Sequence, residues 1–367
     1  MSKNNSKNPL VSICIPVFNS ERFISNAIES CIHQTYRNIE VIVVDNASTD
    51  KTREIVLGYA ATNPQIKYFR NATTVPIMRN FYKTFEYASG EFVQHVGHDD
   101  WLARNYVEEA VSVLEADPLA AGIMHRTISL LFFNNVFTLN GNISIPDGSY
   151  STDYMTKKVL NSEIAGISFL VFMRRKDVLD AESALIPLFD NPKYGKMYEG
   201  AQGTDWIVFL KVLSKYTHFR FSNKTAFIKV GHSSNAGFSF GHNIAIPNGI
   251  LRFRDFARQC LEPIYEEKFP RRLSYMRVVL GASAIIDIIA AVFKNRLSTS
   301  YIKKIDRRQI RIFFKSYSFI EKTWTVGYAL YLLFSRTFNY FFKRRSNLSR
   351  LVNPEVFFLD DNLNFKV

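Results

Sequence analysis

An α/β fold on a mainly parallel sheet, followed by a helical extension, is what this chain predicts, and three observations carry it. The apolar runs Val11 to Val17 and Ile39 to Val44 each stop at a small polar cluster, Pro16-Val17-Phe18-Asn19-Ser20 and Asp45-Asn46-Ala47-Ser48-Thr49-Asp50. Between them, Phe23, Ile24, Ala27, Ile28, Cys31 and Ile32 recur at spacings of three and four, which suits a helix with one buried face. Strand, helix, strand implies parallel strands joined by a right-handed crossover. In such sheets ligands bind at the carboxyl ends of the strands, where the polar clusters fall. The third observation is charge: residues 252–350 hold 21 Lys and Arg against 7 Asp and Glu, whereas the rest of the chain is close to balance at 25 against 26.

The alternation continues along the chain. Ile66 to Phe69 and Phe92 to Val96 read as short strands. Lys51 to Ala61, Val75 to Ala88 and Ala103 to Ala116 read as helices, the last closed by Asp117-Pro118. Residues 127–165 read as irregular, the less regular half of the domain. Thr204 to Lys215 is an amphipathic helix, followed by strands near Phe219 to Phe221 and Ala226 to Val230; Gly231 to Gly249 reads as a loop. Beyond it the pattern is helical. Ser274 to Phe293 is long enough to cross a bilayer, but Arg277 and Asp287 interrupt it, which favours a buried helix. Trp324 to Phe342 is crowded with aromatic residues and ends in Lys343-Arg344-Arg345, a composition suited to the boundary between lipid tails and anionic headgroups.

With 367 residues, 47% hydrophobic and 22% charged, the chain is an ordinary globular protein of one large domain plus an extension, or of two domains. Cys14, Cys31 and Cys260 form no CxxC pair, which suits buried thiols in a reducing compartment and excludes a disulfide framework or thiolate zinc site. The polar start MSKNNSKNP lacks the apolar core of a cleaved export signal.

Taken in order, IPVFN, VVDNASTD, FVQHVGHDDW and GTDWIVFLKVL resemble glycosyltransferase family 2, inverting enzymes with a GT-A fold, of the bacterial surface-polysaccharide type. The resemblance spans roughly residues 1–235. It divides the chain into a disordered start (1–9), a GT-A domain (10–235), a linker or acceptor-side loop (236–260), a basic aromatic helical region that can associate with a membrane (261–350) and a tail (351–367).

The resemblance also assigns roles. Pro16, Phe18 and Asn19 at the first strand end, and Asp45 at the second, fall where the family binds the nucleotide, the acidic residue contacting the base. Asp45 equally suits a turn or helix cap; Asn46, Ser48 and Asp50 read as turn and capping residues. Arg79 and Asn80 match a family pair near the nucleotide, although Arg79 also suits a solvated helical face. Asp99 and Asp100 follow a buried strand where the family carries an Asp-x-Asp-Asp run, which implies Asp99 at the nucleotide sugar and Asp100 on Mg²⁺ or Mn²⁺. A divalent cation neutralises the diphosphate leaving group and needs few protein ligands. Here Gly97 and His98 occupy the first two positions of that run.

Asp205 matches the catalytic base, a carboxylate that takes the acceptor's proton, and equally suits a helix N-terminus. Its neighbour is Thr204, so only the Asp is matched, and Glu199 is a weaker substitute. His232 matches a family histidine near metal or diphosphate; His98, His125, His218 and His242 receive no catalytic role. No QxxRW follows Asp205, which favours single-sugar addition over polymerisation. The expected partners are a nucleotide-diphosphate sugar (a UDP-sugar first), a glycan or lipid-linked acceptor and the inner-leaflet surface, with no nucleic acid. The expected location is cytoplasmic, peripheral at the cytoplasmic face of the inner membrane. Three other readings stand: a sugar nucleotidyltransferase, disfavoured because residues 11–22 hold no glycine; a nucleic-acid-binding tail, since a basic stripe serves that role too; and a non-catalytic scaffold.

Overall fold

The structure is a computed structural model that describes residues 8–133, 136–143, 145–160, 170–184, 205–231, 257–263, 265–267, 270, 273–294, 310–311, 314–315, 317–330 and 351–352. The N-terminal half alternates strand and helix: β1 (Val11–Val17), α1 (Ile24–Ile32), β2 (Ile39–Asp45), α2 (Thr52–Thr62), β3 (Ile66–Arg70), α3 (Ile77–Tyr87), β4 (Phe92–His95), β5 (Trp101–Leu102) and α4 (Tyr106–Ala116). Then come β6 (Ala120–Phe133), β7 (Val136–Ile143), β8 (Gly148–Ser151), α5 (Thr152–Leu160), β9 (Val171–Arg174) and α6 (Arg175–Ser183). After these follow α7 (Asp205–Leu213), β10 (His218–Gly231), α8 (Leu273–Lys294) and β11 (Leu351–Val352).

The strands form one sheet in the order β11-β7-β6-β9-β4-β1-β2-β3, with β10 pairing β5, β6 and β8. It is a mixed α/β fold whose centre, β4-β1-β2-β3, is parallel throughout. Every residue of β2 is buried, as expected of a parallel strand covered on both faces. Each Val or Ile so buried contributes roughly 1.5–3 kcal/mol. The amphipathic helices close the layers: Ile24, Ala27, Ile28 and Cys31 of α1, and Met78, Phe81 and Phe85 of α3, face the sheet. The three cysteines are buried and free, and burial pushes the Cys31 thiol up to about 12, so they are inert packing residues.

The stretch expected to be irregular, 127–165, instead holds the second half of β6, then β7, β8 and α5. Its order comes from a distant partner: β6 runs parallel to β10, with Thr127 opposite Phe227 and Leu130 opposite Val230. Pairing across about a hundred residues leaves no local signature. The two short strands expected near 219–230 are one strand, β10, and the polar break between them is a register shift between Ser222 and Ala226, a bulge.

The helix expected over 274–293 is α8, and between residues 276 and 284 it buries one face. Met276, Val279, Leu280, Ala282 and Ala284 are buried, and Arg277 Nε donates to Glu262 Oε1 at 2.7 Å. No helix among the described residues is long and apolar enough to cross a membrane. The described part of 324–342 ends at Leu330.

At the starting end of the central strands sits a buried carboxylate, Glu40. It accepts from Ser12 Oγ at 2.6 Å, from the Ser89 N–H at 2.6 Å and from Lys67 Nζ at 2.5 Å. Burial alone would raise its pKa, but these donors outweigh it and hold the carboxyl below its ordinary range. A lowered folded-state pKa stabilises the fold above the unfolded value, about 4.3, and that stability is lost as pH falls through the folded value. Glu40→Gln is therefore expected to lower the urea midpoint at neutral pH and to close the gap with the unsubstituted protein as the pH is stepped down from the ordinary carboxylate range through the lowered folded value.

Candidate active site at the carboxyl edge of the sheet

Parallel register brings three strand ends side by side. Val17 of β1 lies opposite Asp45 of β2, and Cys14 of β1 lies opposite His95 of β4. The loops that leave these ends are tied together. The Asn46 N–H donates to the Val17 carbonyl at 2.8 Å, and the Asn19 N–H donates to Ser48 Oγ at 2.9 Å. Asn19 Oδ1 in turn accepts the Thr49 N–H at 2.8 Å. The Ser20 N–H donates to Thr52 Oγ1 at 2.7 Å, and Ser20 Oγ is 2.8 Å from His98 Nδ1. Asp50 accepts the N–H groups of Glu21 and Thr52, each at 3.0 Å, the turn and capping role expected of it. Asn19 and Ala47 take left-handed backbone, at φ 48° and 61°; for Ala47 this costs on the order of 1 kcal/mol.

Asp45 is fully buried and saturated. Its Oδ1 accepts the Ser48 N–H at 2.8 Å and Ser48 Oγ at 2.6 Å; its Oδ2 accepts Tyr68 OH at 2.6 Å and an Arg70 N–H. Arg70 also donates to the Ser48 carbonyl at 2.9 Å. Four donors fill a carboxylate's acceptor capacity, so any further donor to Asp45 would have to replace one of them, and Arg70, at the exposed edge, is the most exposed of the groups involved. Sequence reasoning missed Tyr68 and Arg70. The signal was there: they stand two apart on an edge strand beside β2, hence on one face.

Asn80 is buried. Its amide donates to the Val44 carbonyl at 3.0 Å and accepts from Asn71 Nδ2 at 2.8 Å; Asn71 also donates to Asn46 at 3.0 Å and accepts Lys83 Nζ at 2.7 Å. Asn46 holds both polar backbone atoms of Val75. This amide network fixes the start of α3 under the β2 end, and Arg79 lies partly buried on the same turn. Pro16 is half-buried in β1, and Phe18 is exposed at its end.

Asp99 and Asp100 are both buried after β4. Asp100 Oδ1 accepts the N–H of Val230 at 2.9 Å, which ties the pair to β10. The two carboxylates converge over Gly97: a Cβ built there would lie 2.6 Å from Asp100 Oδ2 and 2.8 Å from Asp99 Oδ1. Glycine is thus what leaves room for both. Burial, and then the charge of Asp99, push the Asp100 carboxyl up to about 8. Two buried like charges with oxygens facing a common space suit a divalent cation, which would favour the ionised form of both. Among the described residues no group of three or more His, Cys, Asp or Glu converges.

α7 spans Asp205–Leu213; the side chain of Asp205, with Glu199, Thr204, His232 and His242, lies outside the described residues. His125 is buried edge-on against Tyr106, and His218 pairs with Asp117 at 2.9 Å.

The site is thus an acidic pair beside tied loops at the carboxyl edge of an α/β domain with a largely parallel central sheet. Residues 12–181 match the model of glycosyl transferase family 2. It is 32% identical over 152 residues to an uncharacterised glycosyltransferase of Haemophilus influenzae, covering 40% of this chain and 56% of the relative. It is 38% identical over 114 residues to one of Rickettsia typhi, covering 30% of this chain and 34% of the relative. The matches thus span a third to about half of those relatives' length. The GalNAc(5)-diNAcBac-PP-undecaprenol beta-1,3-glucosyltransferase of Campylobacter jejuni is 27% identical over 237 residues, 62% of this chain and 70% of that protein. Among solved structures, S. aureus TarS 1-349 in complex with UDP-GlcNAc superposes with a TM-score of 0.47 at 16% identity, covering 77% of this chain and 81% of that one. The mannosyltransferase PcManGT from Pyrobaculum calidifontis, in complex with GDP-Man and Mn2+, gives 0.45 at 17% identity, with 89% and 85% covered.

Gly97→Ala should force the two carboxylates apart. The expected outcome is Mn²⁺ affinity, read by calorimetry, falling about tenfold or more, with a stability loss of about 1–3 kcal/mol in urea unfolding.

Proposed function

We propose that the chain transfers a single sugar from a nucleotide-diphosphate sugar to an acceptor hydroxyl with inversion, in the assembly of a cell-surface polysaccharide or lipopolysaccharide. The observation that carries this reading is the buried pair Asp99 and Asp100 facing a shared space over Gly97, beside the tied ends of β1 and β2. Residues 10–235 would form the catalytic unit. Pro16, Phe18, Asn19, Asp45, Arg79 and Asn80 would shape the nucleotide pocket, with Asn80 acting through its amide network and Arg70 gating access to Asp45. Asp99 would hold the donor, and Asp100, with His232, would hold Mg²⁺ or Mn²⁺. When bound, that ion supplies neutralising charge for the departing diphosphate.

Asp205 would accept the proton of the acceptor hydroxyl as its oxygen bonds to the anomeric carbon. On the opposite face the bond from that carbon to the phosphate oxygen breaks, and the nucleoside diphosphate leaves with the electron pair. Attack opposite the leaving group inverts the centre. A lipid-linked acceptor is supported by the Campylobacter relative, whose name includes an undecaprenol diphosphate glycan. It would place the enzyme peripherally at the cytoplasmic face of the inner membrane.

Thermal shift of the purified protein with UDP-, GDP- and dTDP-sugars, with and without Mn²⁺, tests the donor site. A metal-dependent rise for one nucleotide, abolished by Asp100→Ala, is expected; no rise with any of them in folded protein refutes the reading. Asp205→Asn is expected to keep that rise while turnover falls by about 10²–10⁴. An unchanged turnover would remove Asp205 from the mechanism.

A further inference from the structure

The helical residues 319–330 are held on one side only. Their start is capped reciprocally: the Ser318 N–H donates to Glu321 Oε2 at 2.7 Å, and the Glu321 N–H donates to Ser318 Oγ at 3.1 Å. Tyr317, Glu321, Thr325 and Ala329, four apart, are buried against α8. Tyr317 OH donates to the Arg277 carbonyl at 2.7 Å, Glu321 Oε1 lies 3.7 Å from Arg277 Nη1, and Ala329 packs with Ala282. The Thr325 methyl lies so close over Gly281 that a Cβ there would be 2.8 Å away.

The outer face is different. Phe319, Ile320, Trp324, Val326 and Leu330 are between 52% and 84% exposed, and a Cβ added at Gly327 would meet nothing within 4 Å. On a helical projection these positions form one broad, mainly apolar stripe interrupted by the exposed Thr323 and bordered by the exposed Lys322. Elsewhere among the described residues, exposed large apolar side chains are scattered through the chain. Five together on one short helix mark an interaction surface.

Charge decides the occupant. Arg311 and Lys315 are exposed just before this helix, and residues 252–350 hold 21 basic against 7 acidic residues. A second copy would bring like charge against like, whereas an anionic bilayer accepts both the apolar stripe and the exposed Arg311, Lys315 and Lys322. We propose that the outer face of the 319–330 helix lies in the headgroup boundary of an anionic bilayer, with Phe319 and Trp324 as its anchors. This rests on the proposed seat at a lipid surface and is independent of the donor chemistry.

The test is flotation of the full chain with vesicles of phosphatidylcholine alone and of phosphatidylcholine mixed with phosphatidylglycerol. Binding to the mixed vesicles about tenfold or more tighter is expected, and Phe319→Ser with Trp324→Ser should weaken it about tenfold again at unchanged circular dichroism. Gly327→Leu, which improves helix propensity and widens the stripe, should strengthen it. Brominated lipid should quench tryptophan emission in the unsubstituted protein and far less in Trp324→Phe. Three results overturn the proposal: no flotation of folded protein, equal flotation of the double variant, or a dimer in sedimentation that the double variant splits. A protein that shows the nucleotide-dependent thermal shift yet ignores both vesicles fails here and leaves the transferase reading standing.

Discussion

The parallel pairing of β1 between β2 and β4 is the constraint on which the rest depends. β1 has no exposed face to spend on anything else: its residues are buried but for the half-buried Pro16. Because both neighbours run the same way, their ends and their loops arrive on one edge. The left-handed turns at Asn19 and Ala47 are held there by bonds between loops that are far apart in sequence, Asn19 to Ser48 and Thr49 foremost. Strain of this kind persists only where the surroundings over-determine it, and the tied loops do so.

Buried charge is treated in opposite ways at the two ends of the central strands. At the starting end Glu40 is matched with Lys67 and neutral donors, a closed arrangement that stabilises and does no chemistry. At the carboxyl end Asp45 is matched in the same manner by Arg70 and Tyr68, but Asp99 and Asp100 are set beside one another, and the Asp100 carboxyl rises to about 8. A fold gains nothing from two adjacent buried carboxylates. Two such groups side by side, over a glycine that leaves room for both, mark this edge as the candidate site.

The N-terminal half was legible because its elements are local. β1 spans Val11–Val17 as read, and the helices expected between strands fall within a few residues of α1, α2 and α3. Candidate site residues at strand ends were legible for the same reason: a polar cluster after an apolar run reports a strand end by itself. β6, β7 and β8 were not, since β6 owes its length to β10, about a hundred residues away, and to antiparallel β7. Nor could the sequence show that Asp45 would be saturated. Tyr68 and Arg70 share a face by spacing, but their reach to Asp45 depends on the β2–β3 register, Asp45 opposite Arg70, that only the assembled sheet fixes.

The C-terminal region shows why length and apolarity alone misdirect a membrane assignment. The segment of bilayer-spanning length is α8, and it serves as scaffold: Arg277 within it is tied to Glu262 and faces Glu321, charges that need protein around them. The surface proposed to meet lipid is the shorter helix that α8 supports. An interfacial helix must have two unlike faces, one to hold on to its own protein and one to leave it. The buried series Tyr317, Glu321, Thr325 and Ala329 supplies the first, and its capping box fixes the helix start without help from solvent. The apolar outer face then follows from spacing alone, because residues not committed to α8 have nowhere to point but outward.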